Sequence, residues 1–205
     1  MIWSWLPLIG VVLLVAIVAW RVWWQRHRYG SRGVHLFQSS RWQDNLRDAL
    51  GVVLVLCLLG QAIMAARDAA SSGPGPVVDQ RVEVIEHVAG TALLFGGLVL
   101  LVLALLDLGA SWRIGIAEDS RTGLVTTGFY RFCRNPIFAA ILIVLTGYAL
   151  LLPSRLSLIL LVGAFIGMRQ QVLAEEAYLL RTHGEAYRAY ARRVGRFMPG
   201  IGKLR

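Results

Sequence analysis

The chain has 205 residues, of which 57% are hydrophobic and only 16% are charged, and its formal net charge is +9. Soluble domains carry about 25% charged residues, so this balance excludes an ordinary soluble domain and predicts an all-α, polytopic membrane protein. The cationic excess is explained by membrane orientation and attraction to anionic lipid head groups, and nucleic-acid binding is not indicated.

Five apolar stretches predict five transmembrane helices, because each approaches the roughly 20 residues that cross a bilayer. We place them at residues 2–20, 49–66, 88–106, 136–152 and 155–175. The first stretch lacks a basic leading region and a small-residue cleavage site, so we expect a membrane helix rather than a cleaved signal. No repeat divides the chain, and residues 1–205 are predicted to form a single membrane domain.

Basic residues are distributed unevenly among the connections. Six Lys or Arg residues lie between the first and second stretches, four between the third and fourth, and eight from Arg169 onward. Two lie between the second and third stretches, and one, Arg155, stands at the start of the fifth. Because basic residues remain in the cytosol, this pattern predicts an outside N-terminus and a cytosolic C-terminus. The near absence of Lys is typical of GC-rich bacterial coding, so we expect a multi-pass protein of a bacterial inner membrane.

The fourth stretch begins in the sequence "YRFCRNPIFAA" at residues 130–140. Asn135 is a favoured helix N-cap, and Pro136 is tolerated at the first helical position. Arg131 and Arg134 stand just before a helix N-terminus, whose unpaired N–H groups and dipole attract anions. The segment therefore predicts an anion-binding site. The alternative is that the arginines only mark the cytosolic end of a span.

Two adjacent acids, Glu175 and Glu176, follow the fifth stretch. From Arg155 the helix rises about 30 Å, one hydrocarbon thickness, before it reaches them. They are therefore expected at the level of Arg134, forming a pocket with an anion-binding wall and a carboxylate wall. A ligand with a carboxylate and a cationic group, such as S-adenosylmethionine, would match it, whereas the alternative is a solvated helix end.

A short amphipathic helix is predicted near the C-terminus, after a helix stop at His183–Gly184. Its apolar face would lie flat on the membrane or fold over the neighbouring site. That face carries Tyr187, Tyr190, Ala191 and Val194, and the other carries Arg188 and Arg192.

Four segments follow one another in a fixed order between residues 109 and 199. They are "GASW" at 109–112, "LVTTGFYRFCRNPIF" at 124–138, "EEAYLLRTHGEAYRAYARRV" at 175–194 and "RFMP" at 196–199. This region resembles the isoprenylcysteine carboxyl methyltransferase family and its phospholipid methyltransferase relatives, which are integral membrane enzymes that use S-adenosylmethionine. The resemblance implies a membrane methyltransferase with that cofactor, and the N-terminal two stretches carry no such motif.

The resemblance also implies which residues surround the cofactor. Arg134 and Pro136 match the family's Arg-His-Pro element, and Asn135 stands where the carboxyl methyltransferases have His. The acids match a Glu-Glu-x-x-Leu element, and Gly184 begins a Gly-x-x-Tyr-x-x-Tyr element. The implied cofactor-binding residues are Arg134, Asn135, Pro136, Phe138, Glu175, Glu176 and Leu179. Ala140 and Gln171 also depart from the usual Gly and Arg, and these departures leave the methyl acceptor open.

Methyl transfer from a sulfonium requires alignment and exclusion of water rather than a metal or a catalytic triad. Tyr130, Trp112 and Tyr187 are the candidates for lining the methyl-transfer site. We expect a lipophilic acceptor, either an isoprenylcysteine-like carboxylate, a lipid head group or another small lipophilic molecule, that enters from the bilayer among the membrane lipids. The sequence leaves two alternatives open: a nicotinamide-dependent membrane reductase and a non-catalytic membrane scaffold.

Overall fold

A computed structural model of the chain describes residues 3–30, 36–37, 42–71, 80–112 and 123–204. Within this part the chain is helical, which confirms the predicted class. The long helices are α1 (Leu6–Tyr29), α2 (Trp42–Ser71), α3 (Gln80–Leu108), α4 (Pro136–Leu151) and α5 (Arg155–Arg193). Short 3-10 turns occupy Trp3–Trp5, Gly109–Ser111 and Gly128–Arg131.

Four helical segments among the described residues have the length and apolar composition to cross a membrane. They are Trp3–Tyr29, Trp42–Ala70, Val84–Ser111 and Arg155–Arg193. The fourth helix, α4, has only 16 residues, and at 1.5 Å per residue it is about 24 Å long against a hydrocarbon core of about 30 Å. Four of the five predicted spans thus have a matching long helix, and a full crossing by α4 stays a prediction.

Most helices extend beyond the predicted apolar stretches, because hydropathy reports how much of a helix lies in lipid rather than where its hydrogen bonding ends. The first helix reaches Tyr29 rather than residue 20, and Gly30 closes it at φ 67° with its N–H donating to Arg26 O at 3.1 Å. The connection "SSGPGP" at residues 71–76, whose Gly and Pro composition is typical of a turn, lies outside the described residues except for Ser71, at the end of α2.

The last helix is interrupted at the predicted position. Gly184 has φ 54° and ψ −124°, a backbone conformation that L side chains rarely adopt, so α5 contains two helical segments that meet at a kink. The expected stop is therefore a kink, and helix continues to Arg193. Beyond the kink, Tyr187 and Tyr190 are buried. Contact of this second segment with lipid stays a prediction.

The closest helix packing is between α3 and α4 and depends on three glycines. A Cβ at Gly97 would lie 2.8 Å from Val144 Cγ2, and a Cβ at Gly147 would lie 2.6 Å from Gly90 O. A Cβ at Gly90 would in turn approach Leu151 Cγ to 2.9 Å. Small residues allow membrane helices to approach closely when lipid offers no hydrophobic driving force. This contact fixes α4 against α3 and so positions the residues before Pro136.

Polar residues join the bundle at the end of α4 that is remote from Pro136. Ser154 caps α5 by accepting a hydrogen bond from Ser157 N at 3.0 Å. Gln61 of α2 donates to the hydroxyls of Ser154 and Ser157 at 2.7 and 2.8 Å. The Tyr148 hydroxyl donates to Leu58 O at 2.8 Å. These bonds connect α2, α4 and α5.

Replacing Gly147 by Ala is expected to destabilise the protein by about 1–3 kcal/mol, because the added Cβ meets the backbone of α3, which cannot rotate away. Thermal unfolding of purified protein in one detergent measures this effect. Gly163→Ala on α5 is the matched control, since a Cβ there meets nothing within 4 Å. Equal melting of the two variants would contradict close α3–α4 packing.

Candidate active site

Arg134 lies between the turn Gly128–Arg131 and the start of α4, and it is 5% exposed. Its guanidinium makes four hydrogen bonds within the protein. Nη1 donates to Ala191 O at 2.7 Å and to Val194 O at 3.2 Å. Nη2 donates to Glu176 Oε1 at 2.8 Å and to Gly202 O at 3.0 Å. The side chain therefore binds the end of α5 and the C-terminal tail to the beginning of α4.

Glu176 is the acid at the centre of this site, and it is also 5% exposed. Besides Arg134, it binds Arg196, whose Nε donates to Oε1 at 3.0 Å and whose Nη2 donates to Oε2 at 2.9 Å. The hydrogen bonds that Arg196 donates to Glu176 are the main reason that the pKa of Arg196 is raised. The two predicted pocket walls thus meet directly in an ion pair, and we call Arg134, Glu176 and Arg196 the buried ion cluster.

The C-terminal tail runs beside the residues that precede α4. The backbone N–H of Arg134 donates to Gly195 O at 2.8 Å, and that of Asn135 donates to Arg196 O at 3.1 Å. Asn135 occupies the predicted N-cap position, but its side chain makes no capping bond. Its Nδ2 donates instead to Arg196 O at 3.1 Å, because the tail supplies an acceptor next to the amide.

Aromatic residues cover the cluster on one side. The Tyr190 hydroxyl donates to Tyr130 O at 2.5 Å, and the rings of Tyr187 and Tyr190 meet edge to face with centroids 6.1 Å apart. Burial, assisted by the negative charge of Glu175, raises the pKa of Tyr130 far above its ordinary value. Tyr130 is therefore a neutral phenol at physiological pH, able to donate a hydrogen bond but unsuited to act as a phenolate base.

A second polar region adjoins Tyr130 where α1 and α3 end. Trp112 is 5% exposed, and the Arg21 guanidinium of α1 lies 4.9 Å from its ring centroid. Arg21 Nη2 also donates to Gly109 O at 2.5 Å. Asp107 Oδ2 accepts a hydrogen bond from the N–H of Phe129 at 2.7 Å. This bond attaches the turn that contains Tyr130 to α3. We call this end of the bundle, where α4 begins, the site end.

The structure brings some of the predicted site residues together at the buried ion cluster and leaves others outside it. Arg134, Asn135, Pro136 and Glu176 lie in or beside the buried ion cluster, and Leu179 packs with Tyr187 and Tyr190. Phe138 is half-buried in the first turn of α4, and Glu175 is exposed on α5. Among the described residues, no group of three or more His, Cys, Asp or Glu side chains could hold a metal ion.

Sequence reasoning missed three contributors to the site end: Arg196, Asp107 and Arg21. Arg196 is the first residue of the "RFMP" segment, and the pattern of that segment by itself gives it no role. Arg21 had a usable signal, because an ionisable side chain within an apolar helix often marks a functional site. Asp107 had none, since a single acid at the end of a span is common.

Long apolar helices and a polar site at their ends define a helical membrane protein. Residues 85–186 match the phospholipid methyltransferase family, and over this region the chain belongs to that family. This match favours a membrane methyltransferase over the reductase and scaffold alternatives. The match begins in α3 and ends two residues past the kink at Gly184, so it includes Arg134 and Glu176 but not α1 and α2.

One curated relative is the nickel-cobalt-cadmium resistance protein NccN of Alcaligenes xylosoxydans xylosoxydans, which is 30% identical over 115 residues. The match covers 56% of this chain and 53% of NccN, so the chain spans about half the length of that relative. A solved structure of a eukaryotic intramembrane Ras methyltransferase, isoprenylcysteine carboxyl methyltransferase, aligns with a TM-score of 0.49 at 17% identity. That alignment covers 95% of this chain and 86% of the other.

Replacing Glu176 by Gln is expected to destabilise the protein by about 3–5 kcal/mol, because a neutral amide leaves Arg134 charged, buried and without its counter-ion. Thermal unfolding without ligand measures this loss. Glu185→Gln on the same helix is the control, since Glu185 and Arg188 form a pair with side chains 66% and 52% exposed. We expect Glu185→Gln to change stability by no more than about 0.5 kcal/mol. Similar melting of both variants would contradict a structural role for the buried ion cluster.

Proposed function

We propose that this protein transfers the methyl group of S-adenosylmethionine to a lipophilic acceptor at the site end. The observation that carries the proposal is the position of Arg134 and Glu176. They lie inside the methyltransferase-family region, at the point where the short helix α4 begins beside α5. A buried ion cluster at a membrane helix end provides a fixed electrostatic frame for a ligand with charges of both signs.

The residues present fit the polar groups of this cofactor. Arg134 Nε is buried and has no hydrogen-bond partner among the described residues, and the Arg196 side chain is 24% exposed. These are suitable donors for a carboxylate. Glu175, exposed on α5, is a suitable partner for a cationic group or ribose hydroxyls. The proposed cofactor-binding set remains Arg134, Asn135, Pro136, Phe138, Glu175, Glu176 and Leu179, to which we add Arg196.

We propose different roles within this set. Arg134 and Glu176 already bind each other and the tail carbonyls, so they orient the site as well as contacting the ligand. Glu175 is more accessible, and we expect it to contribute more to affinity than to stability, whereas Arg196, 24% exposed and bound to Glu176, contributes to both. Asn135 donates its amide to a backbone carbonyl, so it acts mainly by holding the tail beside the start of α4.

When bound, S-adenosylmethionine supplies a methyl group already activated by a sulfonium, so the protein's tasks are alignment and exclusion of water. Trp112 and Tyr187 are buried beside the site and exclude water, and Tyr130 is a neutral hydrogen-bond donor. A carboxylate or thiolate acceptor requires no base. For an amine acceptor, Glu175 is the accessible carboxylate able to accept a proton.

Cofactor binding is tested by calorimetric titration of S-adenosylmethionine into the purified full chain in lipid nanodiscs, with NADPH as the comparison ligand. Wild-type protein should bind S-adenosylmethionine and should not bind NADPH. Glu175→Gln should weaken binding at least tenfold, about 1.4 kcal/mol, while melting without ligand stays within about 0.5 kcal/mol of wild type.

Glu185→Gln is again the matched control, because it removes an exposed carboxylate from α5 beyond the kink. Its affinity should equal that of wild type. Binding of NADPH in place of S-adenosylmethionine would overturn the proposal, as would an unaltered affinity in Glu175→Gln.

We further propose that the N-terminus lies outside and that the C-terminus and site end face the cytosol of a bacterial inner membrane. The support is the uneven distribution of Lys and Arg, with eight from Arg169 onward. Compartment-specific reporters inserted at residue 74 and fused after residue 205 should report opposite compartments. Identical reports from both positions would contradict this topology.

A further inference from the structure

The C-terminal tail forms a short hairpin after α5, at residues 195–202, which we call the tail hairpin. The Arg196 N–H donates to Ile201 O at 2.7 Å, and the Ile201 N–H donates to Met198 O at 3.3 Å. A Cβ at Gly195 would lie 2.6 Å from Ile201 O, so the two arms approach closely. The tail hairpin is therefore a defined unit with its own hydrogen bonds.

Two adjacent residues of the tail hairpin contact α5 at different heights. The Arg196 guanidinium donates to the Glu176 carboxylate at 3.0 and 2.9 Å, whereas the Phe197 and Phe165 rings have centroids 6.4 Å apart. Phe165 precedes Glu176 by eleven residues on the same helix, a rise of about 16 Å. It lies in a helix that is apolar enough to cross a membrane. The tail hairpin thus extends along α5 from the buried ion cluster toward the bilayer.

The tail hairpin presents two large apolar side chains on its surface. Met198 is 59% exposed and Ile201 is 64% exposed. On α5, Phe165 and Ile166 are 45% and 51% exposed, as expected for the lipid-facing side of a membrane helix. Because Phe197 packs against Phe165, the apolar surface of the tail hairpin continues the lipid-facing surface of α5.

Charged and backbone groups indicate how deep the tail hairpin lies. Arg169, one turn after Phe165, and Lys203, directly after the tail hairpin, are both exposed. Long basic side chains near the end of a span extend to the phosphate level of the bilayer, so the hydrocarbon ends close to Arg169. Irregular backbone is not tolerated in contact with hydrocarbon. The backbone of the tail hairpin therefore belongs at the head-group level, with only its side chains reaching the acyl chains.

We propose that the tail hairpin inserts Met198 and Ile201 into the lipid leaflet at the site end, and that this insertion holds Arg196 at Glu176. The partner is the boundary between acyl chains and head groups, where the apolar tip meets hydrocarbon and the flanking cations meet anionic phosphates. The proposal requires neither the cofactor nor the methyl acceptor. The tail hairpin also lies outside residues 85–186, which match the methyltransferase family.

Lipid contact is tested by spin labelling of the purified full chain in nanodiscs of phosphatidylcholine and phosphatidylglycerol. A single cysteine replaces Met198 or Ile201 in a background in which both native cysteines are changed, Cys57→Ala and Cys133→Ala. Collisions of the label are measured with molecular oxygen, which concentrates in hydrocarbon, and with a polar nickel chelate, which stays in water. If the background melts below wild type, Cys133 is retained, because at 7% exposure it is shielded from the label.

Two positions on α5 supply the references. Ile166→Cys reports the lipid-facing side of the helix, and Glu185→Cys replaces a side chain that is 66% exposed beyond the kink. The ratio of oxygen collisions to nickel collisions at positions 198 and 201 should approach the ratio at 166. It should exceed the ratio at 185 by about fivefold, because a polar chelate is excluded from hydrocarbon.

Anchoring is tested by melting the double variant Met198→Asp/Ile201→Asp in the same nanodiscs. Two carboxylates must either enter the lipid or withdraw the tail hairpin from it, so we expect the Tm to fall by about 4–8 °C. Met198→Leu/Ile201→Leu is the matched control and should melt as wild type. Because both side chains are already exposed on the protein, a fall confined to the Asp variant reports lost lipid contact rather than lost packing.

Collision ratios at 198 and 201 equal to the ratio at 185 would overturn the proposal, because they would place the tail hairpin in water. Few collisions with either reagent would also overturn it, because another part of the chain or a second copy would then cover the tip. Lipid-like ratios together with unchanged melting of the Asp variant would overturn the anchoring role.

Discussion

The ion cluster of Arg134, Glu176 and Arg196 is the interaction on which the site end depends. Removing charges from water is expensive, and it is compensated only when every charge finds a partner with good geometry. Glu176 accepts hydrogen bonds from both arginines, and Arg134 also donates hydrogen bonds to three backbone carbonyls. The carbonyls belong to the end of α5 and to the tail, so the same set of bonds determines where both segments lie relative to α4.

The other features of the site end support that arrangement from the opposite side. Gly97 and Gly147 allow α4 to approach α3 closely, and Asp107 at the end of α3 holds the N–H of Phe129 at 2.7 Å. The turn carrying Tyr130 is therefore fixed from α3, while the residues after it are fixed from α5.

Two buried arginines at the site end have different surroundings. Arg134 has a counter-ion and saturated terminal nitrogens, as expected for a charge that holds a fold together. Arg21 has a backbone carbonyl and an aromatic face but no counter-ion among the described residues. The polar environment of Arg134 is thus largely complete among the described residues, with Nε as the exception.

The sequence by itself determined the local features: the apolar helices, the start of α4 at Asn135–Pro136, the interruption at Gly184 and the methyltransferase-family motifs. Each follows from residues close together in the chain, because helix periodicity, caps and glycine conformations are local properties. Only the tertiary structure decided that Arg134 and Glu176 bind each other, that Arg196 joins them, and that the Asn135 amide binds the tail. It also brought Arg21 to Trp112, 91 positions along the chain. Such pairings depend on the rotation and crossing of helices, which are set by packing between distant segments and are not encoded in any single stretch.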